Sequence, residues 1–157
     1  MIREKLTVPP NREHVVSECC NLVEDEVKAK GGLTGLAVKG AYGVVKAVKP
    51  RFVSEVIDGL LDQWVAKLEP FYAAWQVAGI GTFADYLKKR GPEVADALLQ
   101  VTDARAQHAK SGSVKKMYDK MRSSAKKHVE DALPRLGNLV ETEVKNAKPT
   151  APGPASA

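Results

Sequence analysis

Between Phe52 and Leu68, apolar residues recur every three or four positions: Phe52, Val53, Val56, Ile57, Leu60, Leu61, Trp64, Val65 and Leu68. That spacing lines one face of an α-helix and does not fit a strand, whose period is two. The same helical period runs through almost the whole chain, and no segment sustains strand alternation. A chain patterned this way is confined to an all-α fold, and it predicts a compact bundle of about six to eight helices. The 157 residues suit a single domain with one core, expected over residues 1–148.

Local signals divide this pattern. After Pro9 and Pro10, Asn11 is a candidate cap for a helix bearing Val15, Val16, Cys19, Leu22, Val23 and Val27, with Gly31 and Gly32 at its end. A second helix is expected from about Thr34 to Pro50, which then opens the third. Pro70 is expected to break or kink that third helix, with Phe71, Tyr72 and Trp75 continuing an aromatic patch. Thr82 and Asp85 resemble a capping box ahead of Phe83, Tyr86 and Leu87. Gly91-Pro92 opens the next helix, with Val94, Ala95, Leu98, Leu99 and Thr102 on one side. Ser113 opens another, and Pro134 is expected to restart the chain for a last helix with Leu136, Leu139, Val140 and Val144. Residues 149–157, rich in Pro and Ala, have nothing to bury and are expected to form a disordered tail.

Charge and cysteine usage narrow the surroundings. No signal peptide is expected, because Arg3, Glu4 and Lys5 follow Met1 with no apolar stretch after them. The longest uncharged run, Pro70–Ala84, is too short and too broken to span a bilayer. Cys19 and Cys20 are adjacent and have no other cysteine to pair with, which favours a reducing cytoplasm. The net charge of +5 is unevenly spread. Residues 31–51 carry Lys39, Lys46, Lys49 and Arg51 with no acid, and residues 110–127 carry seven basic residues against Asp119 alone. Such segregation steers anionic partners or is satisfied within the fold by acidic helices.

Five segments carry a resemblance: KGGLTGLAVK (Lys30–Lys39), LEPF (Leu68–Phe71), ADYL (Ala84–Leu87), EVADALLQVTDARA (Glu93–Ala106) and ALPRLGNLVE (Ala132–Glu141). In order and spacing they resemble a family of small bacterial helical proteins classed as a domain of unknown function. The resemblance covers roughly residues 5–145 and implies a bacterial, cytosolic, single-domain protein. It brings no catalytic residues with it.

The glycines do not make a phosphate loop. Lys30-Gly31 and Lys39-Gly40 have the reverse of the order a Walker loop requires. On a helical wheel Lys39, Lys46 and Lys49 form a narrow polar stripe, and Leu36, Gly40, Gly43 and Ala47 line one edge of a wide apolar arc. Close packing against a neighbouring helix is the expected fate of that edge, with a lipid headgroup layer as the alternative. Residues 79–84 fit the dinucleotide pattern G-x-G-x-x-A but lack the preceding strand, so a helix–loop–helix turn is expected. His14, His108 and His128 complete no di-iron or zinc motif, and no metal or cofactor is expected.

Two places remain as candidate sites. In the helix from Ser113 the apolar residues are Val114, Met117, Tyr118, Met121, Ala125 and Val129. Lys115, Arg122 and Lys126 flank one side of that face, and Lys116, Lys120 and Lys127 flank the other. A basic amphipathic helix of this kind suits an anionic membrane surface or an acidic partner protein, or lies non-specifically along nucleic-acid phosphates. The other place is Arg105, which shares an arc with Val94, Leu98 and Val101 beside Thr102. It either reaches to solvent at the helix end or forms an internal ligand site with Thr102. The sequence therefore points to a non-enzymatic binding or scaffolding protein acting through residues 110–127, with a ligand-binding protein or enzyme at Thr102 and Arg105 as the alternative.

Overall fold

The periodic faces form seven α-helices and no strand among residues 1–150, which are what this computed structural model describes, the side chain of Val114 excepted. They are α1 (Ile2–Leu6), α2 (Arg12–Ala29), α3 (Gly32–Val48), α4 (Phe52–Ala78), α5 (Phe83–Lys89), α6 (Gly91–Gln107) and α7 (Gly112–Asn146). From residue 151 on, the expected tail lies outside the described residues. Contacts divide the chain into two units, Met1–Asp62 with Glu141–Ala157, and Gln63–Val140.

In the first unit, α1 buries Ile2 and Leu6, α2 buries Val15, and α4 buries Ile57, Leu60 and Leu61. Helix α1 answers to no predicted element, although Ile2 and Leu6 stand one helical turn apart. Arg12 ties the unit together. Its Nε donates to Asp58 Oδ1 at 2.7 Å and its Nη2 to the Asp58 carbonyl at 2.6 Å. Its Nη1 donates to Asp62 Oδ2 at 2.8 Å and to the Thr7 carbonyl at 3.1 Å. One guanidinium therefore joins the end of α1 and the start of α2 to α4. Asn11 does precede α2, but its side chain makes no cap bond. Instead it donates from Nδ2 to the Lys148 carbonyl at 3.0 Å and accepts the Lys148 N–H at 2.9 Å. This two-way amide pairing satisfies a backbone unit just beyond α7.

The second unit is built on Phe83 and Leu87 of α5, Val94 and Ala95 of α6, and Leu133 of α7, all fully enclosed. Tyr72 and Trp75 meet Phe83 at centroid separations of 5.0 and 5.4 Å. The Trp64 indole donates to the Leu98 carbonyl at 3.2 Å. The cap read at Thr82 is present: its hydroxyl accepts the Asp85 N–H at 3.1 Å. Gly79 and Gly81, both with positive φ, shape the turn between α4 and α5, and the Trp75 indole donates to the Gly81 carbonyl at 3.2 Å.

Neither internal proline stops its helix. Pro70 lies inside α4 and Pro134 inside α7. A proline there removes one backbone donor and crowds the carbonyl four residues back. In α4 both Pro70 and Ala66, whose carbonyl loses its partner, lie on the exposed side of the helix. Buried side chains hold the phase on each side of the break: Val65 and Leu68 before Pro70 and Tyr72 after it. In α7, Leu133, Gly137 and Val140 form a buried row that runs in phase past Pro134. Tertiary burial outweighs the local penalty in both helices.

Close approach through glycine occurs, but not at the expected edge. A Cβ on Gly137 of α7 would stand 2.4 Å from Ala84 Cα and 2.6 Å from Ala84 N of α5. A Cβ on Gly40 or Gly43 of α3 would meet nothing within 4 Å. The expectation of tight packing at Gly40 and Gly43 is thus corrected, because that edge faces open space. Gly137→Ala is expected to lower stability by about 1–3 kcal/mol through overpacking against backbone. Gly40→Ala should raise it by about 0.5–1 kcal/mol, since alanine favours the helix more than glycine. Chemical denaturation of the two variants checks both signs.

Candidate functional site

Helices α6 and α7 place most of the candidate residues in one polar seam. Arg122 of α7 reaches Asp103 of α6 through Nε at 2.9 Å to Oδ1 and Nη2 at 2.9 Å to Oδ2, a bidentate fork. Its Nη1 extends 3.4 Å to Asp96, and Lys126 donates to the other oxygen of Asp96 at 2.7 Å. The Tyr118 hydroxyl donates to Asp103 Oδ1 at 2.6 Å. With that proton committed, the Thr102 hydroxyl, 2.9 Å away, is the donor to the Tyr118 oxygen, and shares its proton with the Leu99 carbonyl at 2.9 Å.

The ionisation of these groups follows from the contacts. Arg122 first, then the Tyr118 hydroxyl, holds the Asp103 carboxyl below its ordinary range, against the opposing effect of burial. Lys126 does the same for Asp96. The Tyr118 hydroxyl is pushed up, chiefly by burial and then by its bond to Asp103, so it stays protonated and donating. Arg122 is raised above its ordinary value by Asp103.

This seam sorts the basic residues of α7. Arg122 and Lys126 are ion-paired to α6. Lys115 is exposed and lines an open cleft of about 320 Å³ with Asp103, Ala106, Gln107, Tyr118, Asp119 and Arg122. Lys116, Lys120 and Lys127 are exposed and make no ion pair among the described residues. Beside them Met117 and Met121, of the apolar face read from the sequence, are 65% and 60% exposed. The buried side of this part of α7 is rotated away from the methionines, toward Tyr118, Arg122, Ala125 and Lys126. Thr102 is half-buried in the seam, whereas Arg105 is exposed near the end of α6.

Asp96 and Asp103 are members of the site that sequence reasoning missed, and the sequence places Tyr118 only on the apolar face of its helix. Their signal is spacing: Asp96 and Asp103 stand seven residues apart on one face of α6, and Arg122 and Lys126 stand four apart on α7.

A second surface lies on α3. Tyr42 and Lys46 both reach Glu24 of α2, and Gly35 meets the backbone of Lys30. The opposite side of α3 carries Leu33, Leu36, Val44 and Val48, exposed by 87, 68, 63 and 73%.

The family model for the family of unknown function DUF6918 matches residues 2–144. The chain belongs to that family. No curated protein and no solved structure matches it. Membership accounts for the ordered segments from Lys30 to Glu141 and assigns no function to them. Among the described residues no group of three or more His, Cys, Asp or Glu is placed to hold a metal ion. No helix among them is long and apolar enough to cross a membrane. Cys19 is not set up as a nucleophile, because burial pushes its thiol up to about 12.

The seam has a definite acid limit. Asp96 and Asp103 have folded-state values below 3.8, the value of an unperturbed aspartate. The stability they contribute is therefore complete above that value and is lost as pH falls through the folded-state values. Wild type should lose part of its thermal stability below about pH 4, and Asp103→Asn should be slightly less stable at neutral pH with a shallower acid limb. Circular-dichroism melts across a pH series check the difference.

Proposed function

We propose that this chain is a non-enzymatic, cytoplasmic binding protein of a bacterium that associates with anionic surfaces, a membrane leaflet or an acidic partner, through α7. The observation that carries this reading is the outer face of α7: Lys116, Lys120 and Lys127, exposed and without ion-pair partners among the described residues, beside exposed Met117 and Met121. The other half of the basic set supports it differently. Arg122 and Lys126 are consumed by Asp103 and Asp96, so they fix the helix rather than meet a partner. Three ammonium groups on one flank supply charge, and two flexible thioethers supply adaptable apolar contact. Lysine ammoniums are point charges with little directional preference, so contact with nucleic-acid phosphates would be non-specific.

A second reading places a small polar ligand near Thr102 and Arg105. The cleft beside Asp103, with Lys115, Asp119 and Gln107 on its walls, supports it. Arg105 is exposed and outside that lining, and Arg122 is already saturated by carboxylates, which leaves the cleft less free charge than α7 offers.

Each lysine near acidic lipid contributes on the order of 1 kcal/mol. Lys116→Glu/Lys120→Glu/Lys127→Glu should therefore abolish binding to phosphatidylserine vesicles at low salt and leave the fold intact. Wild-type binding should weaken as salt shortens electrostatic reach to about 8 Å near physiological ionic strength. Vesicle cosedimentation, run beside gel shift on random DNA, checks this; a DNA shift with a steep salt slope and no vesicle binding would favour the nucleic-acid version. A wild type that binds neither overturns the proposal.

A further inference from the structure

Helix α3 is apolar on two opposite sides, and one of them has a partner. Gly35, Val38, Tyr42 and Val45 are its least exposed residues, on the side where Tyr42 and Lys46 reach Glu24 of α2. The opposite stripe, Leu33, Leu36, Gly40, Val44 and Val48, faces outward. It runs the length of a 17-residue helix, about 25 Å. A continuous exposed apolar stripe of that length marks an interaction surface.

Charge decides between occupants. No acid occurs from residue 31 to 51, and Lys46 is engaged with Glu24, which leaves Lys39, Lys49 and Arg51 as positive charge along and beyond the helix. A second copy docked on this face would bring two acid-free basic segments together, a like-charge arrangement that opposes association. The stripe itself has no hydrogen-bonding side chain to orient a protein partner, whereas acyl chains require none. Space over Gly40 and Gly43 is open, giving a flat centre between the larger residues at each end.

We infer that the outer face of α3 seats in the headgroup region of an anionic bilayer, with Leu36 and Val44 immersed in the acyl boundary and Lys39 at the phosphates. Such a helix lies in the membrane plane and does not cross it. Its chemistry differs from that of α7: it binds by burial of apolar area, where α7 offers charge.

The test uses the full chain with vesicles of phosphatidylcholine alone or mixed with phosphatidylserine. Val44→Trp should shift its emission to the blue on adding the mixed vesicles and much less on adding the neutral ones. Leu36→Glu/Val44→Glu, at two exposed positions, should keep the wild-type circular dichroism and bind mixed vesicles at least about tenfold more weakly. Unchanged emission from Val44→Trp together with unchanged binding by the double variant overturns the inference. If the Lys116, Lys120 and Lys127 variant loses binding while the α3 variant retains it, the α3 surface fails and the α7 reading survives; the reverse leaves α3 alone. A lipid-free dimer in light scattering that Leu36→Glu/Val44→Glu dissociates would assign the face to a second copy and overturn the lipid assignment.

Discussion

The fork between Arg122 and Asp103 fixes the rotation of α7 about its own axis. Apolar pattern alone would turn Met117 and Met121 inward, because they share the apolar arc with Tyr118 and Ala125. A doubly bonded guanidinium carrying a third contact to Asp96 demands a different angle. Once Arg122 points at α6, the Tyr118 hydroxyl falls within reach of Asp103 and Lys126 within reach of Asp96. The methionines and the remaining lysines then face outward as a geometric consequence. Because these groups are only partly buried, the seam acts less through net stability than through the orientation it selects.

Arg12 plays the same part in the other unit. It collects Asp58, Asp62 and the Thr7 carbonyl, and so sets the start of α2 against α4 and the end of α1. In both units a planar, permanently charged donor bridges elements that apolar contact brings near but does not orient. A lysine in either place would supply charge without the fixed angles.

Much of the fold was legible because helical period is a strong signal. The apolar row of α4, the cap at Thr82 and the opening at Gly91-Pro92 all appear where spacing and turn chemistry indicate. What was not legible depended on distance in sequence. Pro70 and Pro134 are helix breakers by local rule, and only burial on each side of them overrides it. Asn11 is a cap by composition, yet its amide goes to Lys148, a partner no local rule could name. Asp96 and Asp103 read as ordinary surface acids until Arg122 and Lys126 face them. Glycine content told of close approach but not of its place: Gly137 takes that role against Ala84, while Gly40 and Gly43 stand in the open.

The two exposed faces left by this arrangement differ in kind. On α7 the outward charges outnumber the apolar side chains, so attraction to an anionic layer would act over a Debye length and fade with salt. On α3 the apolar side chains dominate and the charge lies at the rim and ends, so attraction would act at contact and persist as salt rises. A surface made only of the first kind gathers any polyanion; one made only of the second kind adheres to any apolar surface. Specificity for an anionic bilayer requires both properties, since neither nucleic acid nor neutral lipid satisfies the two together. On the readings proposed for them, α7 would supply the charge and α3 the apolar area.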